Sequence, residues 1–225
     1  MNSIKIIQAG IDRNADREVK SMEQLKSLGL RYIRIENEPY DREPPVNEIF
    51  RGWTHLYKPG DKHHTELGLN SRHYGAWLSH KQSIMLGFSD KGHSLICEAD
   101  CKILDLDKFK ERLEEASKIL DETDYPIVRF EKPNSGGIQT QFYNQVSENI
   151  FECNEQIMGH CYLINEKSKN LFEKLYDDWG WHSPDWWLLF VFRDTGMKML
   201  GFKEELTNQY SGFSEIDKII KNDNR

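Results

Sequence analysis

Glu98 and Asp100 close the short run Ser94-Leu95-Ile96-Cys97-Glu98-Ala99-Asp100, and two acids at that spacing invite metal chemistry. The apolar part reads as a buried strand, so the acids stand where the strand emerges. On an extended chain, residues two apart leave from one face, which would bring the carboxylates together. Like charges held close in a low dielectric repel and lose hydration, and a divalent cation offsets that cost. Hard oxygen donors suit Mg²⁺ or Mn²⁺. The plainer alternative is a strand that simply runs out into a polar loop.

Two further groups carry chemical potential. The stretch Arg72-His73-Tyr74-Gly75-Ala76-Trp77-Leu78-Ser79-His80-Lys81 gathers polar residues at the start of a helix, where backbone N–H groups favour phosphate. Ser79 beside His80 is weak ground for nucleophilic catalysis, because a triad needs a third group in a set geometry. Asp185 follows Pro184 and precedes Trp186 and Trp187. A carboxylate in that place can act as a general base, with the aromatic rings stacking on a sugar face or filling the core. The alternative is an acid favoured at a helix start by the macrodipole. His160 and His182 are additional candidate metal or phosphate ligands.

The elements that position these residues alternate in type. Ile4 to Ala9 reads as a strand, Val19, Met22, Leu25 and Leu28 recur at helical spacing before Gly29, and Leu30 to Ile35 reads as a second strand. That order predicts a βαβ unit with parallel strands. Periodicity is lost from Glu36 to Asn70, a long Pro-containing insertion. A helix is expected over 74–88, then the strand ending in the acids. Leu106, Phe109, Leu113, Ala116 and Leu120 mark the clearest amphipathic helix. Strands at 125–130 and 159–164 follow, then a helix from Ser168 to Trp179 and another opened by Ser183 and Pro184.

With 225 residues the chain has room for one good core, read as a single domain over 1–215 with a polar tail over 216–225. Its 37 acids against 30 bases give a net charge of −7, which argues against a long nucleic-acid partner. No stretch approaches the roughly 20 apolar residues of a membrane span, and the start lacks a signal-peptide layout, so the chain reads as cytoplasmic. Cys97, Cys101, Cys153 and Cys161 are too irregularly spaced for a disulfide framework or a zinc ribbon, and read as buried free thiols.

Taken in order, these segments resemble glycosyltransferase family 25, the lipopolysaccharide and collagen galactosyltransferase relatives. Asp12-Arg13 with Asp16-Arg17 resembles its Asp-Arg segment after the first strand. Gly75-Ala76-Trp77-Leu78-Ser79-His80 resembles Gly-Cys-x-x-Ser-His, with Ala76 in place of Cys. Leu95 to Asp100 resembles Leu-Glu-Asp-Asp, with Ala99 in place of the middle acid. Gly159 to Ile164 resembles the later Gly-x-x-Tyr strand, and Pro184-Asp185 the acid after it.

The resemblance implies a GT-A-like α/β fold, with a mixed, mostly parallel central sheet flanked by helices. It implies a UDP-sugar donor bound near Asp12, Arg13, Arg17, Gly75, Ser79 and His80, and a divalent metal held by Glu98 and Asp100. Asp185 would then be the base of an inverting hexosyl transfer to a saccharide or glycoconjugate acceptor. Because Ala99 departs from the pattern, a decayed carbohydrate- or partner-binding protein and a metal-dependent phosphoester hydrolase stand as the other readings.

Overall fold

Apolar side chains that alternate along each strand need cover on both faces of the sheet, and the chain provides it. The computed structural model describes residues 4–10, 15–35, 71–131, 134–135, 138–154 and 159–210. The insertion over 36–70, the tail over 216–225, Asp12 and Arg13 lie outside them.

The strands are β1 (Lys5–Ala9), β2 (Arg31–Arg34), β3 (Ser94–Glu98), β4 (Cys101–Ile103), β5 (Ile127–Arg129), β6 (Asn134–Ser135), β7 (Ile138–Gln139), β8 (Gln141–Gln145), β9 (Ile150–Asn154), β10 (Cys161–Ile164), β11 (Met199–Phe202) and β12 (Thr207–Gln209). The helices are α1 (Ala15–Lys26), α2 (Ser71–Gly87), α3 (Leu106–Glu122), α4 (Lys169–Trp179) and α5 (Pro184–Thr195). The main sheet has eight strands in the order β2-β1-β3-β10-β5-β11-β9-β8. β1 pairs in parallel with β2 and β3, as the βαβ reading expects, and β5 pairs in parallel with β11. β10 runs antiparallel to β3 and β5, and β9 antiparallel to β11 and β8. Six strands therefore share one direction and β9 and β10 oppose them, which is the mixed, mostly parallel sheet expected. β12 and β4 form a separate antiparallel pair, as do β6 and β7.

Period-two alternation divides the apolar residues between two cores. Ile7, Ile96, Tyr162 and Ile164 face one core with Trp77 and Ile84 of α2, Phe172 of α4 and Trp187 of α5. Ile6, Leu95, Leu163 and Val128 face the other, with Leu25 of α1 and Phe109 and Leu113 of α3. The face of α3 read from the sequence is the buried one, and Asp105 caps it by accepting from the Lys108 N–H at 3.0 Å.

Two local readings change. Val19 is exposed, and α1 instead buries Arg17, Ser21 and Leu25, with Ser21 Oγ receiving a 3.2 Å hydrogen bond from Gln8 Nε2 of β1. Ser183 occupies the cap position of α5, with its carbonyl accepting from the Trp187 N–H at 2.8 Å. Its hydroxyl pairs with His182 Nδ1 at 3.2 Å and does not cap the helix.

Candidate active site

The acid-bearing end of β3 is where the two cores and the returning C-terminal strand meet. The Glu98 N–H donates to the His160 carbonyl at 2.9 Å, and the strand then gives way to a turn at Ala99 and Asp100 before β4. Gln8 Nε2 donates to the Ala99 carbonyl at 3.3 Å, and the Tyr210 N–H to the Asp100 carbonyl at 2.9 Å, so both sides of the turn are fastened. The two acids thus do not leave one face of an extended strand. Backbone carbonyls that need donors bend the chain between them, and each carboxylate meets a different set of partners.

Glu98 belongs to a chain of side-chain hydrogen bonds on the α2 face of the sheet. Tyr162 Oη lies 2.7 Å from His80 Nδ1, His80 Nε2 lies 3.1 Å from Glu98 Oε1, and Gln209 Nε2 donates to Glu98 Oε2 at 3.2 Å. Burial pushes the Tyr162 phenol well above its usual range, so it keeps its proton. His80 points its Nε2–H at Glu98. Burial would raise the Glu98 carboxyl, but the His80 hydrogen bond and charge, with His160 and Gln209, outweigh it and hold the group below its ordinary value.

Asp100 faces α1. Its Oδ2 lies 3.8 Å from Arg17 Nη1, which also donates to the Tyr210 carbonyl at 3.3 Å. Arg17 and Asp100, selected separately from the sequence, are therefore neighbours.

Asp185 approaches from α5. A Cβ placed on Gly159 would stand 2.9 Å from Asp185 Oδ1 and 3.7 Å from His80 Cε1, so the absent side chain of Gly159 is what lets this carboxylate come close to the ring. Asp185 is partly accessible to solvent although protein surrounds it. Burial first, and then the negative charge of Glu98, push its carboxyl up to about 6, against the opposing pull of His80, Arg129 and His160.

The remaining expected residues divide. Ser79 Oγ donates to the Gly75 carbonyl one turn back in α2, at 2.9 Å, so this pair is brought together within the helix. His182 packs edge-on against Phe190, and burial pushes its ring down to about 4. His160 is fully buried, with Nε2 lying 3.3 Å from Thr207 Oγ1. Burial lowers its pKa, while Glu131, Cys101, Glu98 and Asp185 together raise it above the ordinary value.

Sequence reading missed Gln209, whose strand β12 carries no apolar signal, Tyr210 just after it, and Arg129. The latter is fully buried, bonded through Nε to Glu131 Oε2 at 2.9 Å, with neither Nη partnered among the described residues. Its positive charge reaches Asp185.

Trp187 stacks on Tyr176 at 4.5 Å and donates Nε1–H to the Gly180 carbonyl, so it is core. Trp186 is 36% exposed and lies beside Asp185. No helix among the described residues is long and apolar enough to cross a membrane.

No protein-family model and no curated protein sequence matches the chain. Among solved structures, it is similar to a glycosyltransferase involved in the glycosylation of the major capsid of PBCV-1, with a TM-score of 0.50 and 11% identity over 97% of this chain and 98% of that one. A Drosophila β-1,4-galactosyltransferase 7 variant, solved with manganese, UDP-galactose and xylobiose, aligns at a TM-score of 0.44 and 10% identity, over 94% of this chain and 72% of its own. The finer resemblance to family 25 rests on the motifs alone. At the level of architecture, the chain has the mixed α/β fold of GT-A glycosyltransferases.

Proposed function

We propose that the protein is an inverting glycosyltransferase that moves a hexose from a UDP-sugar to a hydroxyl of a saccharide or glycoconjugate. The observation that carries this is the convergence of a carboxyl raised to about 6, Asp185, with the ionised Glu98 and the Asp100–Arg17 pair at one end of a glycosyltransferase-type sheet.

Two carboxylates at the two ends of one short turn supply hard oxygen donors of the kind a divalent cation takes when a diphosphate provides its other ligands. Glu98 and Asp100 would hold the ion, which supplies charge stabilisation for the leaving diphosphate. The chain's own residues do the rest. Arg17 steadies Asp100 and adds positive charge beside the diphosphate. The Tyr162–His80 pair fixes Glu98 in one orientation.

Asp185 takes the acceptor hydroxyl proton as that oxygen bonds to the anomeric carbon. The bond from that carbon to the diphosphate oxygen breaks, UDP departs, and one displacement inverts the configuration. A base whose pKa lies near 6 is ionised at neutral pH yet strong enough to accept a proton from a reacting hydroxyl. Exposed Trp186 offers an aromatic face for the acceptor ring.

The test is thermal shift and calorimetry with UDP and Mn²⁺. Binding raises the melting temperature by mass action, and Asp100→Ala removes the Mn²⁺-dependent part. Wild-type protein that shows no Mn²⁺-dependent UDP binding overturns the reading.

A further inference from the structure

We infer that Cys97, Cys101 and Cys161 form a second cation site, for a thiophilic ion of the zinc type, directly beneath the acidic turn. The inference stands on the thiol geometry and does not depend on the glycosyltransferase reading. The three sulfurs come from β3, β4 and β10, are fully buried, and lie within 4.8 Å of one another. Cys97 Sγ and Cys161 Sγ are 3.8 Å apart. Thiolates bound at about 2.3 Å to a tetrahedral ion stand about 3.8 Å from each other, so this pair already has the spacing of two zinc ligands. A disulfide requires about 2.05 Å and would leave the third thiol over.

The backbone explains the preorganisation. Cys97 faces Cys161 across the antiparallel ladder. The neighbouring pair, Glu98 with His160, carries the backbone hydrogen bond. Cys97 and Cys161 thus occupy a non-hydrogen-bonded pair, the kind whose side chains come closest. The turn at 99–100 then folds Cys101 under both. Sequence spacing concealed the set because Cys161 lies 64 residues beyond Cys97. Cys153 belongs to the opposite core and provides an internal control.

Soft sulfur donors select against Mn²⁺ and Mg²⁺, so the thiol trio and the acids would sort different ions. Binding exchanges three S–H bonds for three metal–sulfur bonds and releases three protons to the buffer, with no change of oxidation state. Cys97 immediately precedes Glu98, and Cys101 immediately follows Asp100. An ion on the trio therefore ties both ends of the acidic turn.

The experiment uses tag-free full-length chain, purified with reductant and without chelator, then loaded with Zn²⁺ or, as a coloured probe, Co²⁺. The expected result is one zinc per chain by mass spectrometry after gel filtration, and a near-ultraviolet thiolate-to-cobalt band. Cys153→Ser retains both, while Cys97→Ser and Cys161→Ser lose them. Should those variants fail to fold, an organomercurial titration of the wild type replaces them, with zinc released as three thiols react. A wild type that retains no zinc and shows no cobalt band overturns the inference, as does a Cys97–Cys161 disulfide formed in its place. UDP and Mn²⁺ binding, measured on the same sample, separates that failure from a failure of the proposed function.

Discussion

Asp185 carries opposed demands, since the burial that makes it a useful base also makes its charged form costly. Its carboxyl sits at about 6 against an ordinary 3.8, so the folded chain binds this proton more tightly than the unfolded chain. The charged form therefore weakens the fold progressively as pH rises through that window, and above it the cost is complete at about 3 kcal/mol. Asp185→Asn is expected to melt several degrees higher at pH 7, with the difference vanishing near pH 4, in paired thermal scans. The same change should lower kcat by about 10²–10⁴-fold while leaving UDP binding intact. Wild-type kcat should rise with pH through about 6 and then level, and the variant should lack that limb. Trp186→Ala, by contrast, removes an exposed face beside the base. Steady-state kinetics should show a higher acceptor KM with the donor KM unchanged.

At the scale of elements, α5 delivers Asp185 and the approach to β10, at Gly159, makes room for it. Gly159→Ala places a methyl within 2.9 Å of Asp185 Oδ1. The start of α5 must yield, and misplacement of a reacting group by about 1 Å costs roughly 10²-fold in rate. Turnover should fall by about that factor in single-turnover assays, with donor affinity preserved.

Elements that bury a periodic face were legible in the sequence. The helix over 106–122 and the first βαβ unit follow from apolar spacing alone. β4, β9, β11 and β12 were not read, because they are three to five residues long and pair with distant chain, and β8 was not read although it pairs with its neighbour β9. β8 is a polar edge strand with little buried surface to announce it. The same division holds in the site. His80, Glu98 and Asp185 are visible as motifs, whereas Gln209 and Tyr210 act through long-range contacts and Arg129 through its charge on Asp185. Glycine at 159 was visible in the motif, but the carboxylate it makes room for was not.

For the whole molecule, two cores on opposite faces of one sheet set Asp185 and His80 apart from the packing around α3. Asp185 and His80 come from helices of the α2–α4–α5 face, whereas Phe109 is fully buried on the other. Phe109→Ala should cost about 3–5 kcal/mol in denaturant unfolding and leave kcat of the surviving folded protein near wild type. A large loss of kcat at equal folded fraction would show that the faces are coupled through the sheet.

The fastening of the acidic turn by residues 207–210 has a consequence for the order in which the molecule becomes competent. Gln209 reaches Glu98 across 111 positions, and Arg17 reaches the Tyr210 carbonyl across 193. A growing chain therefore exposes both acids long before their clasp is made. Ribosome-bound intermediates that stop short of residue 207 would hold most of the sheet yet leave the turn open. Competence to bind a donor would arrive abruptly once residues 207–210 have been made, with no gradual build-up before them.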